Sequence, residues 1–393
     1  MRRLVFQIIP ILAWALAFLA VVRPLKLSRR GTFAAAALLA LALGKFAFFA
    51  TVGGNAFTPD LPALLIWGYG WIYAAALLLT GAAILFAVVR ALLGLARVRV
   101  PVRAVRVTFA ACAVLAATLS AWGIYEGVRT PDVQRVEVEY DDLPPAFDGY
   151  RIVHLSDLHG SSSARRPRFA RIVARVNELD ADLIAITGDF VDGLVCERLE
   201  DMEPLADLRA RDGVWGCTGN HERYWEWDAW SDALTRLGLR IFSGVNRFAG
   251  TVVTRGDAAL AIGGLGDPTF FGGDFEADEQ AIAEWTERAQ RAFDGAPAGA
   301  FRILLFHRPY TERIGAAAAD VKLQLSGHTH GGAMPVLKWL VAARNEDHVR
   351  GLYEFAKGRY LHVSPGTGQW AGFPLRLFNP AEITEITLRR KRP

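Results

Sequence analysis

Five short segments of this sequence gather side chains able to hold metal ions: Asp157-Leu-His159, Gly188-Asp189, Gly219-Asn220-His221-Glu222, His307 and Gly327-His328-Thr329-His330. Imidazole, carboxylate and amide oxygen, with no thiolate, suit Mn, Fe or Zn better than a soft metal or Ca²⁺. Asp157 and His159 alternate by two and can turn to one ion, while Asp189, behind a glycine that permits a tight turn, suits a carboxylate shared between two. Two divalent ions about 3.5–4 Å apart can bind phosphate oxygens, lower the pKa of a shared water and stabilise an in-line displacement.

The elements that must position these residues are legible around them. Each segment follows an apolar run that reads as a buried strand: residues 151–155, 183–187, 214–218, 303–306 and 321–325. Ligands therefore stand just past strand ends, the edge where open α/β sheets build their sites. Five of the eight histidines fall there, which packing alone gives no reason to expect. Further strands at 240–243, 251–254, 260–263, 360–363 and 383–388 predict an α/β domain of two sheets packed face to face with helices outside.

Composition changes near residue 130. Before it the chain is mostly Ala, Leu, Val, Phe and Trp; after it, charges and turn residues recur. Four apolar stretches, 4–22, 32–52, 61–89 and 105–125, are long enough to cross a hydrocarbon core of ~30 Å as helices. The expected organisation is an all-α membrane region over 1–130, a linker and edge strand over 131–149, and the soluble domain over 150–393. A cleavable leader is the alternative for the first stretch, but it would send the basic loop Arg23, Lys26, Arg29 and Arg30 across the membrane. That loop and the one holding Arg90, Arg97, Arg99 and Arg103 are basic, while 51–60 has no Lys or Arg. The predicted orientation places both basic loops in the cytoplasm and the soluble domain outside it.

Several features read two ways. Lys45, inside the second stretch, is expected to snorkel to the interface. Arg165, Arg166, Arg168, Arg171 and Arg175 surround a helix over 169–176, either as a solvated basic face or as a contact for anionic headgroups or a substrate phosphate. Tyr224, Trp225, Trp227 and Trp230 offer an apolar wall beside the site or the core face of a helix. Asp267, Phe270 and Phe271 lie on a glycine-containing loop able to cover it. A Cys196 to Cys217 disulfide is open, though Cys217 reads as a packed thiol. The net charge of +4 sits largely in loops flanking helices, so no nucleic-acid partner is expected.

The order Asp-x-His, Gly-Asp, Gly-Asn-His-Glu, His, Gly-His-x-His resembles the calcineurin-like metallophosphoesterases over roughly residues 150–390. Residues 331–332, 352–353, 363–368 and 380–383 resemble their membrane-associated bacterial branch. The resemblance implies that Asp157, His159 and His330 hold one metal, that Asn220, His307 and His328 hold the other, and that Asp189 bridges them. His221 would stabilise phosphoryl charge or protonate the leaving oxygen. Glu222, orienting His221 or a metal-held water, and His154, packed behind Asp157, are expected to support them. The expected function is metal-dependent hydrolysis of a phosphoester or pyrophosphate, with a lipid-linked substrate as a candidate. The alternatives are a cytoplasm-facing pyrophosphatase of the UDP-diacylglucosamine type and a non-catalytic membrane sensor of phosphate or lipid.

Overall fold

A computed structural model of the chain describes residues 11–242, 250–267, 279–332 and 338–392. The chain separates into two compact units. The first runs through Glu126 and takes back Ala371–Leu377; the second holds Gly127–Trp370 and Phe378–Pro393.

In the first unit, helix α1 (Ile11–Leu25) is apolar but short, α2 (Arg29–Leu43) and α3 (Lys45–Val52) form a pair bent by 60°, and α4 (Ala63–Leu95) and α5 (Val102–Val128) are long and apolar enough to cross a bilayer. Among the described residues this gives two crossing helices, or three if the bent pair is one span, where four were expected. The start of the first stretch lies outside the described residues. The second stretch breaks because Gly44 separates its two helices. The third is continuous because Pro62 caps it from outside.

Lys45 does not snorkel. It is fully buried, its Nζ donates to the carbonyl of Gly372, and the rings of Phe46, Tyr73, Phe49 and Phe373 stand 4.2–5.6 Å from it. A carbonyl acceptor and a cation–π cage replace the water that a snorkelling ammonium would reach. The returning segment also explains two glycines in the long helices. A Cβ at Gly70 would lie 2.6 Å from Pro374 Cγ, and one at Gly123 would lie 2.6 Å from Leu375 Cδ1.

The second unit is built on two six-stranded sheets. The first has the order β1-β12-β2-β3-β4-β5 (β1 Asp132–Tyr140, β12 Glu382–Arg390, β2 Arg151–Leu155, β3 Leu183–Thr187, β4 Val214–Cys217, β5 Arg240–Phe242). β2 to β5 run parallel, and β12 is antiparallel to β2. The second has the order β10-β11-β9-β8-β7-β6 (β10 Gly351–Ala356, β11 Arg359–Val363, β9 Leu323–Ser326, β8 Phe301–Phe306, β7 Ala258–Leu265, β6 Thr251–Arg255), with β11, β9, β8 and β7 parallel.

Alternation sorts the side chains of each strand between two cores. Ile152, Leu183, Ala185, Ile303, Leu305 and Leu323 join one layer between the sheets. Val153, Leu155, Ile184 and Ile186 meet α6 (Arg166–Asn177), α7 (Val195–Met202) and α9 (Trp227–Arg236) on the far side of the first sheet. Helix α10 (Glu279–Arg291) covers the second sheet through Trp285 and Ala289. All five ligand-bearing segments leave the C-terminal ends of parallel strands, β2, β3, β4, β8 and β9, so both sheets deliver them to one edge of the sandwich.

The arginines of the basic helix have partners within the domain. Arg165 pairs with Asp201, Arg166 with Glu203 and Arg175 with Glu178. Arg168 is buried and donates to the carbonyls of Val128 and Thr367, and Arg171 donates to Thr130 Oγ1. Cys196 is exposed and Cys217 buried in the layer between the sheets, both as free thiols, so the open disulfide does not form.

Candidate metal centre

The backbone turns sharply wherever a ligand is presented. Asp157, His159, Asp189, His328 and His330 all have positive φ, between 48° and 69°, and make up five of the twelve non-glycine residues of that kind among those described. Such left-handed conformations cost about 1–3 kcal/mol each and persist where surrounding contacts hold them. They turn the chain so that Asp157 and His159 meet in one donor group, while His330 joins that group and His328 turns to the group of Asp189 and His307. Two glycines make room for this. A Cβ at Gly219 would lie 2.2 Å from Asp189 Oδ1, and one at Gly327 would lie 2.3 Å from Asp157 Oδ2.

Three groups of donors result: Asp157, His159 and His330; His159, Asp189 and His221; and Asp189, His307 and His328, the ligand atoms of each lying within 4.8 Å of one another. Asp189 belongs to two of them. Its Oδ2 stands 3.2 Å from His307 Nε2, 3.8 Å from His221 Nε2 and 3.9 Å from His159 Nε2. Asn220 Oδ1 and His328 Nδ1 each lie 3.2 Å from His307 Nε2. All seven residues expected to hold metal, and His221, are thus brought together.

The donor chemistry shows what this arrangement lacks. His307 Nδ1 faces the carbonyl oxygen of Thr187 at 2.7 Å; that oxygen only accepts, so it fixes the proton of a neutral ring on Nδ1 and leaves Nε2 as a lone pair. Nε2, Asp189 Oδ2, Asn220 Oδ1 and His328 Nδ1 are then four acceptors facing one another. His159 repeats the pattern: Nδ1 faces Asp192 Oδ2 at 3.1 Å, and Nε2 faces His330 Nε2 at 3.1 Å beside Asp157. Acceptors so arranged are stabilised by a shared cation, a proton in the metal-free chain or a metal ion in its place, and the donor set fits two divalent ions.

The titration shifts express the same demand. Burial works to lower the pKa of His307, but the Asp189 carboxylate outweighs it and raises the ring to about 10. Burial pushes Asp189 up, and His307, His221 and His159 outweigh it and hold the group well below the carboxylate range. Asp157 goes the other way, raised by burial and by the Asp189 charge. His328 is lowered to about 3 by burial and by Arg308, which keeps its lone pair available.

Glu222 does something other than expected. Fully buried, it accepts from the backbone amides of Gly219 at 2.7 Å, Asp189 at 3.1 Å, Phe190 at 2.6 Å and Val191 at 3.3 Å. It clamps the Asp189 loop instead of orienting His221 or a water. The reason is local: Glu222 is the third residue of α8 (Asn220–Tyr224), where a Glu side chain reaches back to the amide preceding the helix.

The group that holds His221 is Asp192, which the sequence reading passed over. Its carboxylate takes His221 Nδ1 on one oxygen and His159 Nδ1 on the other. Burial pushes Asp192 up, but the two rings bring it down to about 2. Burial lowers His221, and Asp189 and Asp192 outweigh it, lifting the ring to about 9. The available signal was spacing, since Asp192 stands three residues beyond Asp189. Tyr224 and Trp370 flank the His221 ring, whereas Trp230 is fully buried with its Nε1 donating to Gly193 O. The aromatic run therefore divides between site and core. Asp267 is buried against Arg308 at 2.7 Å, and Phe270 and Phe271 lie outside the described residues.

His154 acts one layer back. Its Nδ1 meets His362 Nδ1 at 2.9 Å, and its Nε2 meets Thr187 Oγ1 at 2.8 Å, on the residue whose carbonyl holds His307. Burial keeps both rings neutral, with His154 well below the usual histidine range and His362 at about 4. Between pH 6.5 and about 4 the unfolded chain therefore binds more protons than the folded one. Stability present above pH 6.5 is lost as pH falls, by about 3 kcal/mol at pH 4 from His362 alone. Denaturant midpoints of the wild type should fall more steeply below pH 6.5 than those of His362→Gln; parallel slopes would contradict a neutral buried pair.

With this geometry in hand, comparison with known proteins is direct. The sequence model of the calcineurin-like phosphoesterases matches residues 150–332. This segment is a calcineurin-like phosphoesterase domain. The chain is 30% identical over 280 residues to the "Transmembrane protein with metallophosphoesterase domain" of Danio rerio and 33% identical over 284 residues to that of Bos taurus, matching 70% and 71% of this chain. It spans 62% of the length of each of those two relatives. An "Uncharacterized metallophosphoesterase" of Aquifex aeolicus is 29% identical over 264 residues, covering 66% of this chain and 92% of that one. The phosphoesterase domain thus has relatives both with and without a transmembrane name.

Proposed function

We propose that this chain is a membrane-anchored hydrolase of phosphoester or phosphoanhydride bonds that works with two divalent ions. The observation that carries the proposal is the convergence of the His159, His221 and His307 rings on Asp189 Oδ2. Asp157, His159 and His330 would hold one ion, Asn220, His307 and His328 the other, and Asp189 both. Such ions, when bound, neutralise phosphoryl oxygens and lower the pKa of a water. The chain's own contribution is positional. Glu222 fixes the Asp189 loop, Thr187 and Asp192 fix the tautomers of His307 and His159, and Asp192 keeps a proton on His221 for a phosphoryl or leaving oxygen.

Mn²⁺ is the first ion to supply, on the basis of the imidazole and oxygen donors. Four membrane crossings with the phosphoesterase domain outside the cytoplasm are our reading of the apolar helices and the basic loops, and this location makes a lipid-linked substrate the leading class. Purified full-length protein in detergent should hydrolyse bis-p-nitrophenyl phosphate with Mn²⁺ and lose that activity on chelation. Absence of turnover with Mn²⁺, Fe²⁺ or Zn²⁺ in folded, metal-binding protein would reject hydrolysis in favour of a phosphate sensor. A C-terminal reporter active only in the cytoplasm would reverse the orientation and favour a nucleotide-lipid pyrophosphatase.

A further inference from the structure

Beside the metal centre the phosphoesterase domain contains a second feature that the hydrolytic chemistry does not use. A cavity of about 690 Å³ opens against His328, with Arg308, Arg313, Arg344 and Asn345 in its wall. Its volume is that of a small-molecule site. Three guanidinium groups line it, and none of the described residues lining it is a carboxylate.

The nearby acids are already engaged. Asp267 holds Arg308 through two contacts of 2.7 and 3.3 Å, which fixes the direction of that guanidinium. Glu346 lies 3.7 Å from Arg313, but its oxygens accept from the amides of Thr311, Glu312 and Arg313. Arg313 also rests on the Tyr310 ring, 4.5 Å from its centroid. Arg344 is exposed on the third position of the wall. Asn345 is 5% exposed, donates through Nδ2 to Val341 O, and keeps an Oδ1 with no partner among the described residues. A buried acceptor beside three cations suits a ligand with a hydroxyl next to an anionic group.

We infer that this cavity is a subsite for a second phosphate, and that the substrate is a diphosphate ester whose scissile phosphate lies at the metal centre. His328 belongs to both, so the two phosphates need only the spacing of one anhydride link. The inference rests on the hydrolase reading above and narrows it from any phosphoester to one with adjacent phosphates. Arginine is the side chain whose planar fork matches phosphate oxygens two at a time.

The test uses full-length, Mn²⁺-loaded protein and two hydrolysis-resistant probes, methylene diphosphonate and methyl phosphonate, measured by calorimetry. Chelation of Mn²⁺ by the diphosphonate is the same for every variant, so the comparison is between proteins. The wild type should bind the diphosphonate at least about tenfold more tightly than the monophosphonate. Arg344→Gln should remove most of that margin, about a tenfold loss confined to the diphosphonate, with Arg344→Lys restoring part of it. Arg313→Gln should act in the same direction. An equal affinity of wild type for both probes, or an equal loss of both in the Arg344 variant, would overturn the subsite. Failure of the wild type to hydrolyse bis-p-nitrophenyl phosphate would instead overturn the parent reading, and this inference with it.

Discussion

Asp189→Asn should remove the dinuclear centre as a unit. The carboxylate faces three imidazoles through one oxygen and accepts the His221 amide at 2.8 Å through the other. Asparagine keeps one acceptor and puts an NH₂ where the second stood. It also cancels the buried charge that raises His307 and His221. Bound Mn²⁺ should fall from about two ions per chain to one or fewer, and turnover of bis-p-nitrophenyl phosphate by about 10²–10³-fold or more, the scale set by losing a preorganised electrostatic group. The backbone should be unaffected, because Glu222 still clamps the Asp189 loop through main-chain amides. Two ions per chain with near-normal turnover in this variant would remove Asp189 from the bridging position.

What the sequence made legible, and what it did not, follows the range of the interactions. Strand, glycine and ligand are contiguous in the chain, so the five segments and their delivery to one sheet edge could be read directly. The sites of His159 and His330, 171 residues apart but with Nε2 atoms 3.1 Å apart, were legible because both end parallel strands. Asp192 was missed because its spacing from Asp189 is a weak local mark and its role comes from two rings on separate loops. Glu222 was read through its neighbour His221, although the capping geometry of α8 sends it to backbone amides.

In the membrane region, hydropathy found the apolar stretches but not the break at Gly44, because a bend removes no hydrophobic residue. Nor does hydropathy mark Gly70, which makes room for Pro374. Lys45 was read against water because its acceptor, Gly372, lies 327 residues along the chain. Strand β10 was also overlooked; it is a half-buried edge strand, joined to β11 by the tight Lys357-Gly358 turn.

Asp192→Asn provides a sharper test of how the site is tuned, because it alters no expected metal ligand. The two carboxylate oxygens each take a ring Nδ1, one from His159 and one from His221. Asparagine can accept from one ring only, and its NH₂ opposes the proton on the other. If Oδ1 stays with His159, His221 loses both its proton anchor and a negative neighbour that lifts it to about 9. If it stays with His221, the His159 tautomer reverses and Nε2 becomes a donor facing His330. The first arrangement lowers turnover with metal affinity kept; the second lowers metal affinity first. Each should cost about 10–100-fold, the usual effect of removing a partner that orients a ligand. Saturating Mn²⁺ separates them, since added metal rescues a defect at His159 and leaves one at His221 in place. Wild-type turnover and Mn²⁺ affinity in this variant would show that the two imidazoles are held by their own packing, with no need of a shared carboxylate.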